Sequence, residues 1–217
     1  MLNLGGSVAD IGTDHAYLPI YLIKETECTH VIASEYTTPP YQTAVEQVKK
    51  AGGEEKIEVR QGKGLSVLGK GEAAEIVIAG MGGTTIRKII AGQLPIAREV
   101  EKLVLQPMTA IPELRRWLAA NDFQITGEKL AKEGDKFYQV IAVQTGKMEL
   151  ADPLLLEVGP KLIENNDPLL PEFLSKREEK WKKIKAQLAV HRPESDKLKQ
   201  IEYKLNRLQE VKKCLSN

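Results

Sequence analysis

Two carboxylates flank a glycine near the start of the chain, in the segment Val8-Ala9-Asp10-Ile11-Gly12-Thr13-Asp14. A short apolar strand that ends in Asp-x-Gly is where an α/β sheet opens onto a ligand. A dinucleotide fingerprint would place a second glycine at position 14, where its amide could cradle a diphosphate. Asp14 stands there instead, and a carboxylate repels a diphosphate but attracts a cation. Because S-adenosylmethionine carries a sulfonium and an ammonium group, the turn is typical of a pocket for this methyl donor.

Another acidic residue follows the next predicted strand. Glu35 stands 23 residues beyond Gly12, a spacing at which a carboxylate can accept both hydroxyls of a ribose. NAD and S-adenosylmethionine would satisfy Glu35 equally well. Asp10 has an alternative role as a helix cap. The strand, the glycine turn and the acid together therefore predict a cofactor of one of these two kinds.

Further polar and glycine residues could lie beside the reacting groups. Gly80-Met81-Gly82-Gly83 follows the fourth predicted strand and offers bare backbone to a flat ligand, although a simple tight turn would need the same glycines. Methyltransferases that act on exocyclic amines commonly carry an Asn-Pro-Pro-Tyr type motif here, and it is missing. Gln106 ends the fifth strand and could present its amide to a base edge, or be only a polar strand end. His15 and Tyr17 share the turn of Asp14, where a structural role is the default for both residue types.

The elements that must position these residues alternate between strand and helix. After the opening strand, apolar runs predict strands at 30–34, 57–60, 75–79 and 102–106. Helical spacing predicts helices at 16–24, 40–51, 84–91 and 111–120. A short connection between strands at 123–130 and 136–144 predicts an antiparallel hairpin. The predicted fold class is α/β, a doubly wound Rossmann-like sheet of the kind found in class I methyltransferases and, closely similar, in dehydrogenases.

The pattern changes past residue 150. Four prolines in 151–171 are typical of a connecting segment, and two leucine-rich stripes separated by a break at 191–195 predict a pair of long helices. Ser195 can cap the second of these helices. We expect a donor-binding domain over residues 1–150, and a linker with a C-terminal helical hairpin over residues 151–217.

The charge is divided unevenly between these parts. Residues 172–217 hold 13 Lys or Arg against 7 Asp or Glu, whereas residues 1–171 hold 18 against 23. A basic tail on an acidic body indicates a polyanionic partner, although a solvated helical surface gives similar counts.

Composition excludes several classes of protein. The 217 residues, 42% of them hydrophobic, suffice for a substantial core, and no apolar run is long enough for a membrane span. The first strand begins almost at once, without a secretory signal, so we expect a cytoplasmic protein. Cys28 and Cys214 are far apart and indicate neither a disulfide framework nor a metal site.

The chain resembles the bacterial tRNA (adenine(22)-N1)-methyltransferase family over essentially its full length. The segment from Ala9 to Pro19 is similar to the family's Asp-Ile-Gly-Ser-Asp-His-Ala-Tyr-Leu-Pro block, Ile78–Gly83 matches Ile-Ala-Gly-Met-Gly-Gly, and Leu105-Gln106-Pro107 matches the start of Leu-Gln-Pro-Asn. The resemblance implies a Rossmann-like domain followed by a coiled-coil-like helical domain. It also implies methylation of N1 of adenosine 22, in the D-loop region of tRNA, with S-adenosylmethionine as methyl donor.

Site residues follow from the matched motifs. The resemblance and the turn chemistry together assign the base-facing role to Asp14, His15, Tyr17 and Gln106. The donor-binding positions are Asp10, Gly12, Glu35, Tyr36, Gly62, Gly64, Leu65, Ala79, Gly80, Met81 and Gly82.

The chain departs from the family pattern in several places. Lys63 stands where the family tends to have Asp or Asn, and a lysine cannot accept a bond from the donor's adenine amine. Adenine recognition would then fall to backbone groups of Gly64 and Leu65. The chain also begins almost at the first strand, where the family has a preceding helix. Either the start is truncated or mis-assigned, or this member lacks part of the pocket wall.

The mechanistic hypothesis centres on Asp14, which could accept from the N6 amine of the target adenine and stabilise the charge of the methylated base. The expected partner is tRNA, with no membrane and no metal, and the expected state is a monomer or weak homodimer. Two alternatives remain at this point: an NAD(P)-binding oxidoreductase and a non-catalytic RNA-binding protein.

Overall fold

The computed structural model describes residues 1–2 and 5–215 and divides into two compact units. The first unit comprises Met1–Gly127 and Val140–Met148, and the second comprises Glu128–Gln139 together with the chain from Glu149 onward. The expected boundary at residue 150 lies next to Glu149, where the chain finally enters the second unit. The predicted boundary places the whole 123–144 hairpin in the first domain, whereas the structure assigns its outer part, Glu128–Gln139, to the second unit.

A seven-stranded sheet forms the centre of the fold, in the order β3-β2-β1-β4-β5-β7-β6. Its strands are β1 Ser7–Ile11, β2 His30–Glu35, β3 Ile57–Gln61, β4 Glu75–Gly82, β5 Lys102–Thr109, β6 Phe123–Glu133 and β7 Lys136–Thr145. Strands β1 to β5 are parallel where they pair, and β7 runs antiparallel to β5. The predicted Rossmann-like sheet of a class I methyltransferase is confirmed.

Helices cover the strands of the first unit. They are α1 Tyr17–Glu25, α2 Thr38–Lys50, α3 Gly83–Gly92, α4 Leu94–Glu99 and α5 Ile111–Ala120, with a 3-10 turn at Gly64–Val67. The central strands read as nearly continuous apolar runs because helices bury both of their faces. Val8, Val31 and Ile76 accordingly have at most 1% of their surface exposed. This packing fixes the carboxyl ends of β1, β2 and β4 at one edge.

Two strand ends differ from the prediction. The glycine turn expected at 80–83 lies mostly within β4, which continues to Gly82, and β5 runs through Pro107 instead of stopping before it. The pairing slips here, because Ala79 pairs with Gln106 and Met81 with Pro107, which leaves Gly80 as an extra residue. Such a bulge accommodates a proline that a regular ladder would exclude. Helix α4 and the 3-10 turn were not predicted.

The second unit is built around two long helices. Its helices are α6 Pro153–Val158, α7 Pro160–Glu164, α8 Leu170–His191 and α9 Asp196–Leu215. Ion pairs join Lys185 to Glu202 and Lys212 to Glu178, so α8 and α9 pack antiparallel as predicted. The Ser195 hydroxyl accepts from the amide of Leu198, which confirms the predicted cap of α9. None of the helices described is long and apolar enough to cross a membrane.

We predict that Gly83→Ala destabilises the first unit, because a Cβ at Gly83 would lie 2.5 Å from the carbonyl oxygen of Ala110. Forced repacking of this kind costs about 1–3 kcal/mol. Gly92→Ala at the other end of α3 is the matched control, since nothing lies within 4 Å of its Cβ position. Urea unfolding of both variants tests this, and equal unfolding free energies would contradict it.

Candidate active site

Asp10 is a buried carboxylate at the carboxyl end of β1. Its surface is 5% exposed, and its neighbours in the sheet are Ala33 of β2 and Val77 of β4. Thr13 donates its hydroxyl to Asp10 Oδ2 over 2.7 Å. Burial raises the pKa of Asp10 to about 6; the Thr13 hydrogen bond opposes this rise and the charge of Glu35 adds to it. Asp10 therefore anchors the turn from inside the sheet.

The turn after β1 is held against β2 through its backbone. The amides of Gly12 and Thr13 both donate to the carbonyl oxygen of Ser34, over 2.8 and 2.9 Å. Gly12 has a φ of 79°, and a Cβ built there would lie 2.0 Å from the terminal methyl carbon of Met81. The positive φ favours glycine here, whereas the flexible tip of Met81 can move aside. The result is a bare backbone ridge at the edge of the sheet, over which the tip of Met81 lies.

Glu35 joins the ends of three strands. Its Oε2 accepts from the amide of Asp14 over 3.4 Å, and its Oε1 accepts from the amide of Tyr36 over 2.8 Å. Its backbone carbonyl accepts from the amide of Gly62 over 2.9 Å. The side chain and the backbone of Glu35 thus connect the segments that follow β1, β2 and β3. The Tyr36 side chain beside it is exposed.

Asp14 places a second carboxylate on the open side of the same turn. It has a φ of 53°, and 70% of its side chain is exposed. His15 Nε2 lies 3.7 Å from Asp14 Oδ2, and the His15 ring stacks on Tyr17 with a centroid distance of 5.3 Å. These three predicted base-facing residues form one exposed cluster. Asp10 and Asp14 thus occupy opposite environments, one inside the sheet and one in solvent.

Gln106 belongs to a separate part of the edge. Its Oε1 accepts from the amide of Gly80 over 2.9 Å, and its Nε2 lies 3.3 Å from the sulfur of Met108. Gly80 itself has a φ of 73° at the bulge of β4. Gln106 therefore holds the Gly80 bulge in place. Ala79, Met81 and Gly82, which were predicted to bind the donor, lie on this same stretch of β4.

The segment after β3 forms the far end of the site. Gly64 has a φ of 56° and begins the 3-10 turn, in which Leu65 is buried with 1% of its surface exposed. The Lys63 side chain is exposed. A cavity of about 420 Å³ lies between this turn and α3, with Lys63 and Lys88 among its lining residues.

Two contributors to this site were not predicted: the hydroxyl of Thr13 and the backbone carbonyl of Ser34. A threonine three residues after a strand-end aspartate is a local signal that could have indicated the first. The carbonyl of Ser34 leaves no signal in the sequence, because its role depends on strand pairing. Among residues 1–2 and 5–215, no group of three or more His, Cys, Asp or Glu side chains could hold a metal ion.

The residues at this edge fit S-adenosylmethionine. The Gly12 ridge allows close approach of a ligand, and the carboxylates of Asp14 and Glu35 suit its cationic groups and its ribose hydroxyls. This edge and the strand order, with β7 antiparallel beside β5, define a class I methyltransferase. The family model for tRNA (adenine(22)-N(1))-methyltransferase matches residues 8–210, and the chain belongs to this family.

Individual relatives agree with this membership. The tRNA (adenine(22)-N(1))-methyltransferase of Bacillus subtilis is 39% identical over 156 residues, which cover 71% of this chain and 66% of that protein. The crystal structure of the B. subtilis m1A22 tRNA methyltransferase superimposes with a TM-score of 0.82 at 31% identity, covering 95% of this chain and 92% of that one. A Streptococcus pneumoniae protein in complex with S-adenosyl-L-methionine gives a TM-score of 0.83 at 32% identity, covering 96% and 94%.

We predict that the raised pKa of Asp10 makes the fold less stable as pH rises. Between the ordinary pKa of 3.8 and the folded value of about 6, the folded state binds more protons than the unfolded state. The unfolding free energy of the wild type should therefore fall relative to that of Asp10→Asn from pH 4 to pH 7, by up to about 3 kcal/mol.

Urea unfolding of both proteins across this range measures the difference. Thr13→Val removes a hydrogen bond that stabilises the charged form of Asp10. The decrease in the unfolding free energy of this variant should therefore extend to higher pH. Parallel pH profiles of the wild type and Asp10→Asn would contradict the prediction.

Proposed function

We propose that this chain transfers a methyl group from S-adenosylmethionine to N1 of adenosine 22 in tRNA. The observation that carries the proposal is the pairing of a buried carboxylate, Asp10, with an exposed one, Asp14, on either side of the bare Gly12 ridge. Membership of the tRNA (adenine(22)-N(1))-methyltransferase family supplies the substrate class. A diphosphate cofactor would face the carboxylate of Asp14 where it needs a backbone amide, which counts against the nicotinamide alternative.

The donor would lie along the ridge that joins β1, β2 and β4. S-adenosylmethionine supplies an electrophilic methyl group. Glu35 is fixed by backbone amides on both carboxylate oxygens and still has lone pairs to accept the ribose hydroxyls. The donor can approach the backbone at Gly12 and at the Gly80 bulge, and Gln106 keeps that bulge in place. These contacts orient the methyl group for in-line attack.

The donor's adenine would be recognised through the main chain. Lys63 has only donors on its side chain, so it cannot accept from the adenine amine. Backbone groups of the half-buried Gly62 and Gly64 follow β3 and can make these contacts instead, with the buried Leu65 fixing the turn behind them. We expect the family's usual side-chain acceptor at position 63 to have no counterpart in this chain.

Asp14 would act on the target base. Adenine N1 carries its own lone pair, so the reaction needs alignment more than a strong base. The Asp14 carboxylate can accept from the N6 amine, which raises the electron density at N1. After transfer the methylated base is cationic, and the same carboxylate stabilises that charge. His15 and Tyr17 lie beside Asp14 with stacked rings and can hold the base in line.

The second unit would contact the tRNA backbone. Lysines on α8, such as Lys180 and Lys183, have no ion-pair partner among the residues that the structure describes, whereas Lys182 and Lys185 are paired with glutamates. Free cations on a helix are suited to phosphates, and such contacts grip RNA without reading its sequence. Because the proposed substrate is a cytoplasmic RNA, we expect the protein to act in the cytoplasm. We also expect it to be a monomer or a weak homodimer.

Incubation of unmodified tRNA with the protein and S-adenosylmethionine tests this function. Mass spectrometry of the digested nucleosides should detect 1-methyladenosine, and a tRNA with guanosine at position 22 should yield none. Replacement of the donor by NAD should also abolish the product. Absence of 1-methyladenosine from a folded protein that binds the donor would refute the proposal.

We predict that Asp14→Asn lowers turnover by about 10²-fold or more, because the neutral amide cannot stabilise the cationic product. The melting temperature should stay close to wild type, since the side chain is largely exposed. The rates are compared at saturating S-adenosylmethionine, so that a weaker attraction of the donor's cationic groups does not contribute to them. Asp122→Asn is a matched control, because Asp122 is also an exposed aspartate with a positive φ, of 60°. Single-turnover methylation kinetics measure the effect, and equal rates for the two variants would remove Asp14 from the mechanism.

A further inference from the structure

Helix α1 carries an exposed face that extends beyond Tyr17, the one residue of this face with a role in the proposed reaction. Tyr17, Tyr21 and Lys24 are spaced four and three residues apart, so they share one side of the helix. Tyr17 is 69% exposed and Tyr21 58% exposed, while Pro19 and Leu22 face the core. Two exposed aromatic rings one helical turn apart form a surface on which planar groups can stack.

Tyr21 and Lys24, the two residues of this face farthest from Asp14 along the helix, have no polar or aromatic partner among the described residues. The hydroxyl of Tyr21 makes no hydrogen bond there, its ring stacks on no other aromatic side chain, and Lys24 forms no ion pair. Tyr17, in contrast, stacks on His15 and thereby joins the cluster around Asp14. The face is therefore continuous with the candidate active site at one end and free at the other.

We propose that this face of α1 binds the nucleotide next to the target adenosine. Tyr21 would stack on an unpaired base, and Lys24 would contact the phosphate that follows it. This inference rests on the proposed function, in which the substrate is an RNA. Tyr21 lies one helical turn, about 6 Å along the axis, from Tyr17, so an adjoining nucleotide can reach it while the target base lies beside Asp14.

The chemistry of the face favours RNA over a protein partner. Aromatic side chains stack on any unpaired base, and a cation beside them suits the RNA backbone. A stable protein interface needs about 800 Å² on each partner, far more than two rings and one lysine provide. A target base must also leave its stack to reach the methyl donor, which leaves the neighbouring base without its usual stacking partner.

Binding and kinetics of tRNA with Tyr21 variants test the inference. Tyr21→Ala should raise both the KM for tRNA and the Kd from fluorescence anisotropy about tenfold, the effect of losing one base stack. Its kcat at saturating tRNA and its affinity for S-adenosylmethionine should stay at the wild-type values. Tyr21→Phe keeps the ring and should restore the wild-type Kd. Lys24→Ala should reduce the slope of log Kd against log salt by about 0.7, as expected for one contact to single-stranded RNA.

Tyr41→Ala is the control, because Tyr41 lies on α2 of the same unit and outside the site. An unchanged Kd for Tyr21→Ala, or an equal loss in Tyr41→Ala, would overturn the inference. A change in sedimentation of Tyr21→Ala without loss of tRNA binding would assign the face to a protein contact instead and also overturn it. The proposed function is judged separately, by whether the wild-type protein forms 1-methyladenosine.

Discussion

The buried carboxylate of Asp10 is the constraint on which the functional edge depends. It stands at the end of β1, between β2 and β4, where water cannot solvate it. A group that costs free energy to bury must have a partner, and the Thr13 hydroxyl supplies one from within the same turn. The turn therefore folds back over its own strand, and this reversal exposes the backbone of Gly12 and turns Asp14 outward.

That reversal places unusual backbone conformations side by side. Gly12, Asp14 and Ala16 all have positive φ values, and the last two carry side chains that disfavour this region. Strain of this kind persists only where the surroundings determine the conformation. Here the carbonyl of Ser34 accepts two amides of the turn, and the buried face of α1 holds its other end. The contacts with the sheet and with α1 therefore stabilise the strained turn and hold its acidic residues in a fixed position.

Sequence reasoning succeeded where the secondary structure of a residue depends mainly on its neighbours along the chain. Examples are the apolar runs of β1 and β2, the break at 191–195 and the cap at Ser195. It failed at β4 and β5, because Gly80 and Pro107 both signal a strand end locally and only their mutual pairing makes a bulge. The same bulge directs the Gly80 amide to the side-chain oxygen of Gln106. Contacts that depend on strand register are not encoded in any single segment.

The division of the β6–β7 hairpin bears on how far the helical unit is autonomous. Its hydrophobic core contains Leu130 of β6 and, packed against it, Phe137 of β7, together with residues of α6 to α9. The unit is therefore assembled from two stretches of chain that are not contiguous. A fragment that begins at residue 150 would lack part of its own core, and its isolated helices would show apolar surface to water. The outer part of the β6–β7 hairpin is thus a structural component of the helical unit, so a stable separate unit would have to include residues 128–139.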